Sequence, residues 1–240
     1  MKQFSSNFYM GGKMVLVSLL VIGVLAGCGN NTEKTNDATK QKREQLPSSP
    51  DKEKARTIVF YGNSLTAGYG VDPSEAFPAL LQEKIDSLQL PYKVINAGLS
   101  GETTAGGKGR IDWILRQPVN IFVLELGGND GLRGIPIAET SRNLQAIIDR
   151  VREKYPDAKI ILAGMQVPPN MGRNYASAFR VTFQQLAARN NLELIPFLLE
   201  NVGGISSLNQ ADGIHPNPQG HKIVAENVWR VLQGIVSSAS

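Results

Sequence analysis

Five short runs rich in β-branched and large apolar residues alternate along this chain with longer stretches of helical spacing. The runs are Thr57–Tyr61, Tyr92–Asn96, Asn120–Leu126, Lys159–Ala163 and Leu192–Pro196. Between them, Phe77–Leu88 sets Leu80, Leu81, Ile85 and Leu88 on one helical face, and Glu139–Lys154 does the same with Leu144, Ile147, Ile148 and Val151. Tyr175–Asn190 and Gly220–Gln233 read as further helices, and Ile111–Arg116 as a weaker one. This alternation admits few folds. Parallel strands need long crossovers, and helical crossovers cover the sheet. Ile121–Leu124 and Ile160–Ala163 are apolar at consecutive positions, as strands covered on both faces require. The expected fold is α/β, with a parallel five-stranded sheet, no internal repeat and one domain over Thr57–Ser240.

In such a sheet, ligands bind beyond the carboxyl ends of the strands. Gly62-Asn63-Ser64-Leu65 follows the first run, Asn96-Ala97-Gly98 the second and Gly127-Gly128-Asn129-Asp130 the third. Asp212-Gly213-Ile214-His215-Pro216-Asn217 lies past the fifth, before the last helix. Segments far apart in sequence are thereby expected on one rim.

The residue types on that rim suit acyl transfer. A serine hydroxyl becomes a nucleophile only when a base takes its proton and a third group orients the base. Ser64 stands on a strand-to-helix turn, and His215 and Asp212, on one loop, can supply the other two roles. The second histidine, His221, starts the last helix with no acid at comparable spacing and is read as structural. An oxyanion needs hydrogen-bond donors. Gly98 offers an amide with no side chain in the way, and Asn129 a carboxamide behind a glycine pair that allows a sharp turn.

Together these blocks resemble the four signature blocks of the SGNH (GDSL) hydrolases, over nearly the whole folded domain. Glu125–Gly134, and Met171-Gly172-Arg173-Asn174-Tyr175 followed by Ala178-Phe179, resemble more narrowly the bacterial thioesterase I, arylesterase and lysophospholipase group. The resemblance implies a three-layer, flavodoxin-like doubly wound fold and a cofactor-free serine esterase acting on carboxylic or thio esters through an acyl-enzyme. Ser64 would be the nucleophile, His215 the base and Asp212 its partner, with the Ser64 and Gly98 amides and the Asn129 side chain as oxyanion hole. One position departs from the pattern: Asn63 replaces the usual Asp before the nucleophile. A carbohydrate O-acetylesterase is the nearest alternative. A non-catalytic glycan- or lipid-binding lipoprotein is further off, because triad and oxyanion elements are all present. No G-x-S-x-G elbow occurs, and the P-loop-like Gly101–Lys108 has the wrong spacing and no Ser or Thr after the lysine.

The first 56 residues carry a different message. Lys2 and Lys13 precede the apolar run Met14–Ala26, which is shorter than the roughly 20 residues a membrane span needs. Leu25-Ala26-Gly27-Cys28 then resembles a bacterial lipobox, with the chain's only cysteine at the position that is acylated. Residues 1–27 are expected to be a lipoprotein signal peptide, Cys28 a lipid anchor to the membrane, and residues 28–56 a polar, disordered tether. The protein is then exported to the cell envelope and is expected to act as a monomer. Nine of the 25 Lys and Arg and five of the 21 Asp and Glu precede Thr57, so the folded part is neutral. That balance removes the case for nucleic-acid binding which the overall positive charge suggests. With two histidines and one acylated cysteine, a His/Cys metal site is not expected.

Overall fold

In the computed structural model, which describes residues 55–237, five parallel strands form one sheet. They are β1 (Arg56–Gly62), β2 (Tyr92–Asn96), β3 (Ile121–Glu125), β4 (Lys159–Ala163) and β5 (Glu193–Ile195), in the order β2-β1-β3-β4-β5. The helices are α1 (Ser64–Ala67), α2 (Phe77–Ser87), α3 (Thr104–Ile114), α4 (Gly128–Leu132), α5 (Ile137–Lys154), α6 (Arg173–Asn190) and α7 (Pro218–Ser237). The signal peptide, the Cys28 anchor and nearly all of the tether lie outside the described residues. Among those described, no helix is long and apolar enough to cross a membrane.

The strand order dictates which face each helix covers. From β1 the chain steps to β2 on one side, then crosses back over β1 to β3 and continues outward through β4 to β5. Crossovers between parallel strands are right-handed. Reversing direction therefore moves the covering helix to the opposite face. Accordingly α2 packs with α7, whereas α3 packs with α5 and α5 with α6. The three-layer arrangement follows. Every residue of β3, at the centre, is buried.

The reversal also creates the crevice. The segments after β1 and β3, neighbouring strands in register from Ile58–Ile121 to Gly62–Glu125, leave the sheet at the topological switch point where this fold class binds ligands.

Two features depart from the sequence expectation. α3 begins at Thr104, well before Ile111. Gly106, Gly107 and Gly109 weaken its helical signal, because glycine disfavours a helix interior. Tertiary contacts compensate. The Thr103 side chain accepts from the Gly106 amide, and the buried Asp130 carboxylate accepts from the Thr104 amide at 2.9 Å, where the helix dipole favours a negative charge. Second, α1 and α4 are one-turn helices, four and five residues long, too short to show a hydrophobic period. Both carry site residues.

Candidate active site

Ser64 is the first residue of α1. Asn63 caps that turn, its Oδ1 accepting the Leu65 amide at 2.9 Å, and Gly68 closes it at φ +75°. A residue at the first position of a helix keeps an amide without an intrahelical acceptor. The Ser64 N–H has no hydrogen-bond partner among the described residues, and Ser64 lines a cavity of about 590 Å³.

His215 Nε2 lies 2.9 Å from Ser64 Oγ, and His215 Nδ1 lies 2.6 Å from Asp212 Oδ2. The loop that carries both is built from its own atoms. Asp212 Oδ1 accepts the amides of Ile214 and His215, each at 3.0 Å, and the Gln210 amide donates to the His215 carbonyl at 2.8 Å. These bonds hold the Asp212 carboxyl at a pKa of about 2. The His215 side chain contributes most, followed by the two amides. Asp212 is thus an acceptor over the whole neutral range, which fixes the proton of a neutral His215 on Nδ1 and leaves Nε2 to accept from Ser64.

Asn129 stands on α4, after Gly127 turns the chain at φ +111°, a backbone state that favours glycine. One Nδ2 hydrogen is taken by the Glu102 carbonyl at 2.9 Å. The other remains for a ligand, and Asn129 lines the cavity with Ser64 and His215.

Gly98 does not meet its expectation. Its amide donates to Asn96 Oδ1 at 3.0 Å, and the residue does not line the cavity. Glycine is needed there because a Cβ would sit 2.2 Å from the Ala67 amide nitrogen, inside α1. Gly101, three residues on, does line the cavity, and its amide has no hydrogen-bond partner among the described residues. Gly98 packs under the turn, whereas Gly101 lines the cavity.

His221 is away from this chemistry. It is buried, and its Nδ1 accepts the Phe77 amide at 3.3 Å. Phe77 opens α2, whose preceding residue, Ala76, offers no side-chain cap. His221 thus serves as a cap supplied from α7, a role that needs the neutral ring. Burial, with a smaller effect of His215, holds its pKa down to about 4.

Three further contributors were not assigned a role from the sequence. Gln210 Nε2 donates to the Tyr69 and Pro216 carbonyls at 2.7 and 3.0 Å, joining the base loop to the segment after the nucleophile. The Tyr69 ring lies 4.8 Å from the His215 ring. Glu125, at the end of β3, accepts hydrogen bonds from Asn63 and Thr66. The cavity, about 590 Å³, extends from Ser64 along Leu132, Met165, Val167, Phe197, Leu199 and Ile214. Its lining combines these apolar residues with the polar groups of Ser64, Asn129 and His215.

Known proteins resemble this chain over most of the described domain. The model of the GDSL-like Lipase/Acylhydrolase family matches residues 60–223. "Esterase TesA" of Pseudomonas aeruginosa is 40% identical over 183 residues, covering 76% of this chain and 90% of that protein. "Thioesterase 1/protease 1/lysophospholipase L1" of Escherichia coli K12 is 38% identical over 187 residues, 78% of this chain and 88% of the other. Among solved structures, the psychrotrophic esterase EstA from Pseudoalteromonas, inhibited by monoethylphosphonate, superposes with a TM-score of 0.71 at 33% identity. It covers 76% of this chain and 99% of that one.

Proposed function

The chain belongs to the GDSL-like lipase/acylhydrolase family, and from that premise we propose that it is a serine esterase with Ser64 as nucleophile, His215 as general base and Asp212 as the group that orients it. The observation that carries the assignment is His215, which bridges Asp212 and Ser64 through its two ring nitrogens at 2.6 and 2.9 Å, beside an apolar cavity.

The chemistry follows from those contacts. Ser64 Oγ attacks the ester carbonyl carbon as its proton passes to His215 Nε2, and ionised Asp212 stabilises the imidazolium. The carbonyl oxygen gains charge beside the Ser64 and Gly101 amides and the free Nδ2 hydrogen of Asn129. Donors of this kind, aimed beforehand at a developing charge, supply the largest share of many enzymatic rate enhancements. His215 then gives its proton to the leaving alcohol or thiol as the carbonyl re-forms. Water repeats the sequence on the acyl-enzyme, with His215 again as base and Ser64 as leaving group. The apolar walls suit the hydrocarbon part of a carboxylic or thio ester, a substrate class consistent with the names of the relatives.

An organophosphonate probe tests the nucleophile directly. It should label the wild-type protein at Ser64 and leave Ser64→Ala unlabelled. Labelling of the Ala variant at another residue would refute the assignment.

Cys28 is read as the lipid attachment point that holds the enzyme at a membrane of the cell envelope, with residues 28–56 as its tether. The apolar run before Cys28 and the lipobox-like Leu25–Cys28 support this. Cys28→Ser should leave the membrane fraction while keeping wild-type turnover. A variant still retained after a high-salt wash would count against the anchor.

A further inference from the structure

Among the described residues, Glu125 is the one carboxylate hydrogen-bonded to the residues beside Ser64, and the mechanism above does not use it. It is fully buried, and no cation pairs with it among the described residues. Burying a carboxylate without a counter-ion costs stability that a neutral side chain of the same shape would not cost. Three donors converge on it instead. Oε2 accepts the Asn63 amide at 3.0 Å and Thr66 Oγ1 at 2.8 Å, and Oε1 accepts Asn63 Nδ2 at 2.8 Å. All three come from the residues on either side of Ser64. The approach is open only because position 62 is glycine: a Cβ there would lie 2.4 Å from Glu125 Oε2.

Asn63 has a fixed orientation in this cluster. Its Oδ1 is held by the Leu65 amide, so Nδ2 must face the carboxylate. A carboxylate at 63 would set two acids 2.8 Å apart, and they would have to share a proton. The carboxamide brings its own hydrogen.

Resting on the assignment of Ser64 as nucleophile, we propose that Glu125 is a positioning residue for it. Its carboxyl group gathers residues 63–66 so that Ser64 Oγ stays on His215 Nε2 and the Ser64 amide points into the cavity. Asn63 is the donor that makes this anchor independent of a shared proton. The buried acid is kept for the geometry of the turn and not for the stability of the fold.

The donor–acceptor logic supplies the test. In Glu125→Gln the new amide oxygen can accept the Asn63 N–H and Thr66, but its NH2 then faces the NH2 of Asn63. In the double variant Asn63→Asp/Glu125→Gln, donor and acceptor are exchanged and every bond is restored, including the cap on Leu65. Thermal midpoint, kcat and KM on one neutral ester, and hydrogen-exchange protection of the Leu65 amide are measured at pH 8, where the carboxyl is ionised, for both variants and wild type. Glu125→Gln should keep the wild-type midpoint or exceed it, lose Leu65 protection, and lose about 10²-fold in kcat, the scale of a 1 Å misplacement. Its KM should change less than about threefold. The double variant should regain Leu65 protection and come within about tenfold of wild-type kcat. If Glu125→Gln does not fold, recovery of fold, protection and turnover in the double variant carries the proposal. Wild-type kcat and protection in Glu125→Gln would overturn it, as would a double variant that recovers neither. The Ser64 assignment fails separately, by absence of phosphonate labelling in wild type, and Leu65 protection still decides whether Glu125 holds the turn.

Discussion

The two halves of the site are held in opposite ways. The nucleophile turn, residues 62–68, is buried and tied to the sheet through Glu125 and packing against Gly98, contacts that span 30 or more positions in sequence. The base loop, residues 210–216, is largely exposed, and its bonds join residues two to six apart. Long-range contacts form only with the whole fold, whereas an Asp-anchored turn is specified by its own sequence. The position of Ser64 is therefore a property of the core, and the orientation of His215 a property of seven consecutive residues. Gln210, through the Tyr69 carbonyl, is a link between them.

Mutations in the two halves should separate accordingly. Removing either reacting group is the largest effect. Ser64→Ala and His215→Ala should each lower kcat by about 10⁴ or more, and the two together by no more than either alone, because the residues act as one unit. Additive losses in the double variant would show that the two halves do not work on the same step.

Asn129 comes next. If its free Nδ2 hydrogen faces the oxyanion, Asn129→Ala should cost about 10²–10³ in kcat with a smaller change in KM. Asn129→Asp, which replaces the donor by an ionised acceptor, should be at least as damaging near neutral pH. A residue that only shaped the α4 turn would tolerate Asp, since both side chains serve turns. Near-wild-type turnover in the Asp variant, at matched thermal stability, would remove Asn129 from the oxyanion site.

Gln210→Ala probes the link. It deletes two hydrogen bonds at the edge of the site, each worth about 0.5–1.5 kcal/mol, so a loss of about tenfold in kcat/KM is expected. Because the loop keeps its Asp212 bonds, the loss should appear with no change in thermal midpoint beyond a few degrees. A midpoint that collapses with the activity would mean that the loop is not locally determined.

The same contrast explains what the sequence disclosed. Strand number, parallel order, the rim and the Asp212–His215 loop were legible, because periodicity and local turn chemistry write them into neighbouring residues. Glu125 was not. A carboxylate at the end of an apolar strand looks like the start of a loop, and only the register of β3 beside β1 puts it under Ser64. Gly101 carries no local signal that would set it apart from Gly98 as an oxyanion donor. Both follow β2, and which one packs under α1 depends on where α1 lies. The glycines of α3 hid a helix whose first turn is stabilised from α4, by Asp130.

The smallest effect on turnover is expected at His221, and it sharpens the comparison through stability. His221 must be neutral to accept the Phe77 amide, and its folded pKa, about 4, lies below the ordinary histidine value of 6.5. A depressed value means that the contribution is complete above pH 6.5 and is lost as pH falls through about 4, a change of a few kcal/mol at most. Glu125 has the opposite sign. Burial raises its pKa from 4.5 to about 7, against the pull of its hydrogen bonds from Thr66 and Asn63, so its contribution is complete below 4.5 and is lost as pH rises through 7. Between pH 4.5 and 6.5 the two groups oppose each other. His221→Gln keeps an acceptor for the Phe77 amide but cannot be protonated, so kcat at pH 8 should change less than about threefold. Its thermal midpoint should rise on acidification from pH 7 to 5 relative to wild type, because only the Glu125 slope remains in that window. Glu125→Gln should show the reverse, a steeper acid loss than wild type, with His221 now unopposed. Midpoints of the three proteins measured from pH 4 to 8 decide the matter. Parallel curves for wild type and His221→Gln would mean that the buried ring is not the group that titrates, and that the cap on α2 contributes nothing to the acid limb.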